Sequence, residues 1–151
     1  VELNVVDGVI LPNLKMQGTR EACAYLDMEG QCSIHPYRPG ICRLFPLGRH
    51  YENGGLFYFL QTGECAKENR SKVKVSKWID TPELKRNEQF KLQWHELLSA
   101  MTDRVAGEDE GKQREENLLL LRLFYLLPYE GTTDFYSQFT ERMEHWNEQI
   151  G

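Results

Sequence analysis

The sequence predicts an α+β fold, in which a small cysteine-rich module of loops and a β-hairpin packs on about three α-helices. Residues 23–46 contain three of the four cysteines and three prolines, and proline excludes a long helix or a central strand. Two apolar segments then flank Asn53-Gly54-Gly55, which is typical of a tight hairpin turn. Beyond residue 81, apolar side chains recur every three or four positions, the period of an amphipathic helix.

Length and charge limit the class of protein. The 151 residues predict a single domain, 1–151, with a cysteine-cluster module at 1–80 and a helical part at 81–151. A net charge of -5 argues against a nucleic-acid binder. No apolar run is long enough to span a membrane and no signal-peptide pattern is present, so we expect no membrane association. We expect a cytoplasmic location, where thiols stay reduced and cysteine clusters more often bind metal than form disulfides.

The N-terminal segment LNVVDGVIL, residues 3–11, predicts one or two short strands. Asp7-Gly8 is a dipeptide typical of tight turns, and it divides the apolar run into two halves. We expect Pro12 to end the second strand, because proline has no amide proton for a strand ladder.

The four cysteines form a potential ligand set. Eight residues separate Cys23 from Cys32 and nine separate Cys32 from Cys42, and both intervals contain turn-forming residues, while Cys65 follows the predicted hairpin. Four thiolates can fill a tetrahedral zinc shell or hold a four-iron cluster. No CxxC pair is present, however. Spacing alone therefore leaves three alternatives open: a metal or cluster site, two disulfides, or separate buried thiols.

The string C-x-Y-L-x-x-x-G-x-C-S-I-H-P-x-R-P-x-I-C-R-L-F-P runs from Cys23 to Pro46. It resembles the cysteine-cluster family of zinc- or iron-chelating domains, the YkgJ-like proteins. The resemblance covers about residues 9 to 80, and R-P-G-I-C-R-L-F-P is its most specific part. It implies a metal site in which Cys65 completes the ligand set after the hairpin. Family members usually carry a further CxxCxxCC cluster upstream, and this sequence does not contain one.

Thiolate ligation suits both zinc and iron. Irregular ligand spacing with arginine and aromatic neighbours favours an iron-sulfur cluster, such as 4Fe-4S, over a zinc or iron ion. Arg38 and Arg43 are candidates to lie beside the sulfurs and tune a bound cofactor, as outer partners of metal ligands do. Their alternative role is to bind surface carboxylates or backbone carbonyls. We assign His35 to a turn and His50 to a strand.

The segments after the cysteine module complete the small β part. We expect residues 45–51 to pair with residues 56–61, so that the returning strand brings Cys65 towards Cys42. In KENRSKVKVSK, residues 67–77, Val73 and Val75 alternate with lysines, which predicts a short charged edge strand. A binding surface for an acidic partner protein or a nucleic acid is the alternative interpretation of this segment.

Three helices are predicted in the second half. Asp80 or Thr81 is expected to cap the first, with Pro82 at its first position. Gly107 and the acidic run 108–111 end it, and a second helix at about 112–127, which we expect to be the most buried, stops before Pro128. The third begins after Thr132 or Thr133. The first and third helices carry apolar stripes, respectively Phe90, Trp94, Leu97, Leu98, Met101 and Val105, and Phe135, Phe139, Met143, Trp146 and Ile150.

The function that these patterns favour is metal binding through Cys23, Cys32, Cys42 and Cys65. The resemblance also extends to flagellin lysine N-methylases over the cluster region, so a methyltransferase-type enzyme or its accessory is one alternative. A non-metal interaction domain, with the acidic helical half docking a protein partner, is the other. The sequence contains no phosphate-binding loop, HExxH or nucleophile elbow, and it identifies no catalytic residue.

Overall fold

A computed structural model describes residues 1–19, 21–63 and 71–150. It confirms the α+β class. The chain divides into two compact units, which we call the helical unit (Val1–Gly18 with His95–Gly151) and the cysteine unit (Thr19–Trp94). In chain order the described elements are β1 (Glu2–Val6), β2 (Val9–Asn13), β3 (Met16–Gln17), β4 (Ala22–Cys23), a 3₁₀ helix (His35–Tyr37), α1 (Gly40–Leu44), β5 (Leu47–Glu52), β6 (Gly55–Leu60), α2 (Val75–Ile79), α3 (Leu84–Val105), α4 (Glu110–Leu121), a π-helical turn (Arg122–Leu126) and α5 (Phe135–Ile150).

In the helical unit, β1 and β2 form the hairpin that Asp7-Gly8 predicts. Both turn residues have positive φ, 49° and 82°, as the tight turn requires. The expected end of the strand at Pro12 is wrong, because β2 continues to Asn13 and Pro12 lies opposite Leu3. A sheet of only two strands has free outer edges, so a proline without an amide proton is tolerated there.

The core of the helical unit contains part of each predicted helical stripe, whereas Phe135 of the second stripe is 37% exposed. Leu97, Met101 and Val105 of α3 are buried, as are Phe139 and Trp146 of α5. The rings of Phe139 and Trp146 both pack on Phe124, with centroid separations of 5.8 and 6.1 Å. Such tilted aromatic contacts add to the stabilisation from buried apolar area.

The second predicted helix is the most buried of the three long helices, as expected, but its apolar run is not buried on every side. Leu120, Leu121, Leu123 and Phe124 are in the core, but Leu126 is 74% exposed. The helix also changes geometry, since α4 passes into the π-helical turn at Arg122. The wider π turn rotates the side chains after Leu121 relative to an α-helix, so the apolar run does not stay on one buried face.

In the cysteine unit, β5 and β6 form the predicted hairpin, with Asn53 and Gly54 at positive φ of 50° and 69°. The first strand begins at Leu47 rather than Phe45, because Phe45 ends α1. The ring of Phe59 lies across Gly48, its neighbour on the opposite strand. An aromatic ring over a strand glycine covers backbone that would otherwise be exposed.

Two predictions for residues 71–84 are wrong. Val75 belongs to helix α2 and not to an edge strand, because Ile79 is buried at one side of the helix and α2 packs against α1. The expected cap of α3 is also displaced. Asp80 adopts the left-handed conformation that ends α2, Glu83 has φ of 49°, and α3 begins only at Leu84. Residues 67–70 of the predicted strand lie outside the described part of the chain.

Candidate metal centre

The first cysteine loop is held by its own backbone. The carboxylate oxygen of Asp27 accepts hydrogen bonds from the amides of Glu29 and Gln31, at 3.0 and 2.8 Å. Gly30 takes a positive φ of 76°, as a tight turn favours. The strand-like pairing of Leu26 with Cys32 then closes the loop. These contacts return the chain towards Cys23, so the eight intervening residues do not separate the two cysteines in space.

The second loop uses proline to set the direction of the chain. The amide of His35 donates to the carbonyl of Cys32 at 3.2 Å and opens the 3₁₀ helix, in which Pro36 lies at the N-terminal end. Arg38 and Pro39 are extended, and α1 then begins at Gly40. The amide of Cys42 donates to the carbonyl of Pro39 at 2.9 Å. Cys42 therefore sits in a short helix whose start is fixed by Pro39.

The loops bring three predicted ligands into one neighbourhood. Cys23 and Cys32 are half-buried and Cys42 is exposed. Partial burial raises the pKa of the Cys42 thiol, and the nearby thiols of Cys23 and Cys32 raise it further, because like charges disfavour ionisation. This effect requires the sulfurs of Cys23 and Cys32 to lie close enough to the sulfur of Cys42 for their charges to interact. All three are free thiols.

The two arginines occupy different places. Arg38 lowers the pKa of Cys42, so its guanidinium lies within electrostatic reach of that sulfur. Arg43 donates from Nε to the carbonyl of Arg38 at 3.3 Å. Arg38 is thus the arginine that can interact with the thiolate of Cys42. Arg43 instead stabilises the backbone of the turn that contains Arg38.

The thiols are neighbours but they are not arranged as a finished ligand shell. Across residues 1–19, 21–63 and 71–150, no three His, Cys, Asp or Glu side chains are positioned to hold a metal ion. Cys65 lies outside the described residues, so its place as the fourth ligand stays a prediction. His50 lies in β5 and pairs with Glu52 at 3.5 Å, in agreement with its assignment to a strand.

The β5–β6 hairpin and α3 form a polar cluster that the sequence did not predict. Tyr58 lies opposite Arg49, and its buried hydroxyl has no hydrogen-bond partner of good geometry among the described residues. Burial and the carboxylate of Glu88 raise the pKa of Tyr58 to about 12. Burial and Arg49 lower the pKa of Lys91, while Glu88 opposes this. Strand alternation separates Tyr58 from Phe57 and Phe59, but only the fold places Glu88 beside Tyr58 and brings Lys91 near Glu88 and Arg49.

Comparison with known proteins adds no relative: no family model, no curated protein and no solved structure matches this chain. The resemblance to the cysteine-cluster family therefore stays a prediction. No helix in the described part of the chain is both long and apolar enough to cross a membrane.

Proposed function

We propose that the protein binds iron, as an iron-sulfur cluster, or zinc, through the thiolates of Cys23, Cys32 and Cys42, with Cys65 as the fourth ligand. The observation that supports this most directly is the convergence of the first three thiols across two separate loops. Cys65 enters on sequence grounds alone. The proposal includes a cytoplasmic location, since a reducing compartment keeps all four thiols available.

The chain's own groups favour a cation at this place. Three thiolates close together repel one another, and a cation between them removes that penalty, which is why metal binding to thiols releases protons. Arg38 adds positive charge beside Cys42 and would reduce the net negative charge of a thiolate-bound centre. The half-buried positions of Cys23 and Cys32 limit the access of water to two of the ligands.

The test begins with protein purified without oxygen. Elemental analysis, acid-labile sulfide and the visible spectrum are measured together. Iron with sulfide and a brown colour indicates a cluster, and zinc without colour indicates a zinc site. Protein that retains neither metal after anaerobic reconstitution with iron and sulfide, or with zinc, would refute the proposal.

Variants identify the ligands. Cys23→Ser, Cys32→Ser, Cys42→Ser and Cys65→Ser are each expected to lower the bound metal per chain by at least about tenfold, as loss of a ligand or its close partner does. His35→Ala and His50→Ala are matched controls, because both histidines can bind metals in principle and neither is assigned as a ligand. Metal content that falls in the histidine variants but not in the cysteine variants would assign the site elsewhere.

A further inference from the structure

The α1–α2 surface of the cysteine unit carries four exposed apolar side chains, which we name the α1–α2 patch: Ile41, Phe45, Val75 and Trp78. They are respectively 58, 48, 38 and 44% exposed. Single exposed apolar residues are ordinary, whereas a contiguous group that includes tryptophan is characteristic of interaction surfaces.

The patch is continuous because α1 and α2 contact each other. The indole Nε1–H of Trp78 donates a hydrogen bond to the carbonyl of Phe45 at 3.2 Å, which fixes the ring against the end of α1. Ile41 lies in α1 and Phe45 directly follows the last residue of α1, four positions later, while Val75 and Trp78 are three positions apart in α2. Each pair therefore lies on one side of its helix.

Three lysines border the patch. Residues 71–79, SKVKVSKWI, contain Lys72, Lys74 and Lys77 and no acidic residue, although the whole chain has a net charge of -5. All three lysines are exposed, and no carboxylate among the described residues forms an ion pair with them. Lys74 precedes the first residue of α2 and Lys77 is adjacent to Trp78 in the sequence, so both lie in the segment that carries the ring. The local charge thus has the opposite sign to that of the rest of the molecule.

We infer that the α1–α2 patch docks an acidic protein, through a segment in which carboxylates surround an apolar centre. The apolar side chains would supply the buried contact, with Trp78 as the residue that contributes most. The lysines at the rim would attract and orient the carboxylates. A nucleic acid fits less well, because the chain as a whole carries a net charge of -5 and would repel a phosphate backbone.

The patch also lies next to one of the thiols. Cys42 is exposed and lies in α1 between Ile41 and Phe45. A partner seated on the patch would therefore contact the surface beside Cys42. The docking itself does not depend on a bound metal and is tested separately.

The probe for the test is a short fluorescein-labelled peptide of Asp and Glu with Leu and Phe at every third position. Fluorescence anisotropy measures its binding to the full chain. A matched peptide with Ser in place of Leu and Phe has the same charge, and a short oligothymidylate and phosphatidylserine vesicles represent the other anionic partners. We expect the first peptide to bind at least about tenfold more tightly than the Ser peptide. Its binding should weaken as the salt concentration is raised from about 50 to about 300 mM.

Variants then locate the binding. The double variant Lys74→Glu with Lys77→Glu should weaken binding of the peptide by at least about tenfold. This is the size expected when two attractive charges at the edge of the patch are replaced by two repulsive ones. Lys85→Glu, an exposed lysine elsewhere in the same unit, is the matched control and should change binding by less than about threefold. Ile41→Ser with Val75→Ser tests the apolar part while leaving the Trp78 hydrogen bond in place.

The NMR signal of the Trp78 indole N–H, assigned from Trp78→Phe, should shift on addition of the peptide and should be present in each variant that has folded. Three results would each overturn the inference: no binding of the apolar acidic peptide, tighter binding of oligothymidylate or vesicles, or equal losses in the Lys74/Lys77 and Lys85 variants.

Discussion

Asn117 of α4 donates a hydrogen bond from Nδ2 to the carbonyl of Gly8 at 3.0 Å, which ties the hairpin turn of the helical unit to a helix that follows 109 positions later. Its Oδ1 accepts from the amide of Ile10 at 2.6 Å, and Nδ2 also donates to Gln113. One buried side chain, 3% exposed, therefore satisfies backbone groups in the turn and in β2. Burial of an amide is favourable only when its polar atoms are paired in this way.

Asn117→Ala should lower the free energy of unfolding by about 2–3 kcal/mol, because Gly8 and Ile10 each lose a buried partner. Urea unfolding monitored by circular dichroism measures the loss. Asn147→Ala, on the exposed side of α5, is the control and should change stability by less than about 0.5 kcal/mol. Hydrogen exchange at the Ile10 amide should quicken only in the Asn117 variant, and unchanged protection there would contradict the assigned role.

Arg142 of α5 likewise forms hydrogen bonds with backbone groups, at the end of the π-helical turn. Its guanidinium donates to the carbonyls of Leu123, Leu127 and Pro128 at 2.7, 2.9 and 2.7 Å, and its Cζ atom lies 3.5 Å from the ring centroid of Tyr129. Leu123 lies in the last turn, whose carbonyls have no intrahelical partner, and Leu127 and Pro128 directly follow that turn. Arg142→Met should cost about 3 kcal/mol of stability, since charged hydrogen bonds are among the stronger ones.

Arg142→Lys should recover less than half of that loss, because an ammonium group lacks the planar fork that spans three acceptors. Arg114→Met, at an exposed position of α4, is the control. NMR of tyrosine labelled at the ζ carbon supplies a second readout: burial raises the pKa of Tyr129 and Arg142 partly offsets this rise, so removal of Arg142 should raise that pKa further. Full stability in the lysine variant would show that charge alone is sufficient.

Gly48→Ala should destabilise the cysteine unit, because a methyl group at this position would overlap the ring of Phe59. We expect a loss of about 1–3 kcal/mol, the usual range for forcing a packed side chain to move. In a Phe59→Ala background the same change should be close to neutral, and the double-mutant cycle measures the coupling. Gly131→Ala, which meets open space, is the control. Equal effects of Gly48→Ala in both backgrounds would exclude the ring as the cause.

The raised pKa of Tyr58 predicts that the folded protein loses stability at high pH. Its folded pKa of about 12 exceeds the usual value of 10.0, so the folded protein holds the phenolic proton more tightly than the unfolded chain does. The stabilisation is complete below pH 10, and it is lost as the pH rises from about 10 through about 12. Tyrosine ζ-carbon NMR should show Tyr58 ionising at a pH of about 12.

Glu88→Gln should lower the pKa of Tyr58, because it removes the carboxylate charge that opposes ionisation. Tyr58→Phe should remove the corresponding decline in stability between pH 10 and 12. An unshifted Tyr58 in the Glu88 variant would mean that burial alone raises the pKa.

Local sequence patterns were sufficient to predict those elements whose conformation depends on interactions between residues close in the sequence. Asp7-Gly8 and Asn53-Gly54 specify their turns because few residues accept positive φ, and the stripe that includes Met101 and Val105 specifies its helix face through periodicity alone. Pro36 and Pro39 likewise limit the cysteine module to short elements. Three of the four cysteine positions could be expected to converge on the same grounds, as turn formers lie in both intervals.

Contacts between distant segments decided the rest. Val75 alternates with lysines as a strand residue would, yet burial of Ile79 and the packing of α2 against α1 make the segment helical. The pairing of Asn117 with Gly8, the buried role of Arg142 and the position of Glu88 beside Tyr58 leave no signal in the local sequence. Each depends on which polar group must be satisfied once two remote segments have excluded water between them, and that requirement exists only in the folded chain.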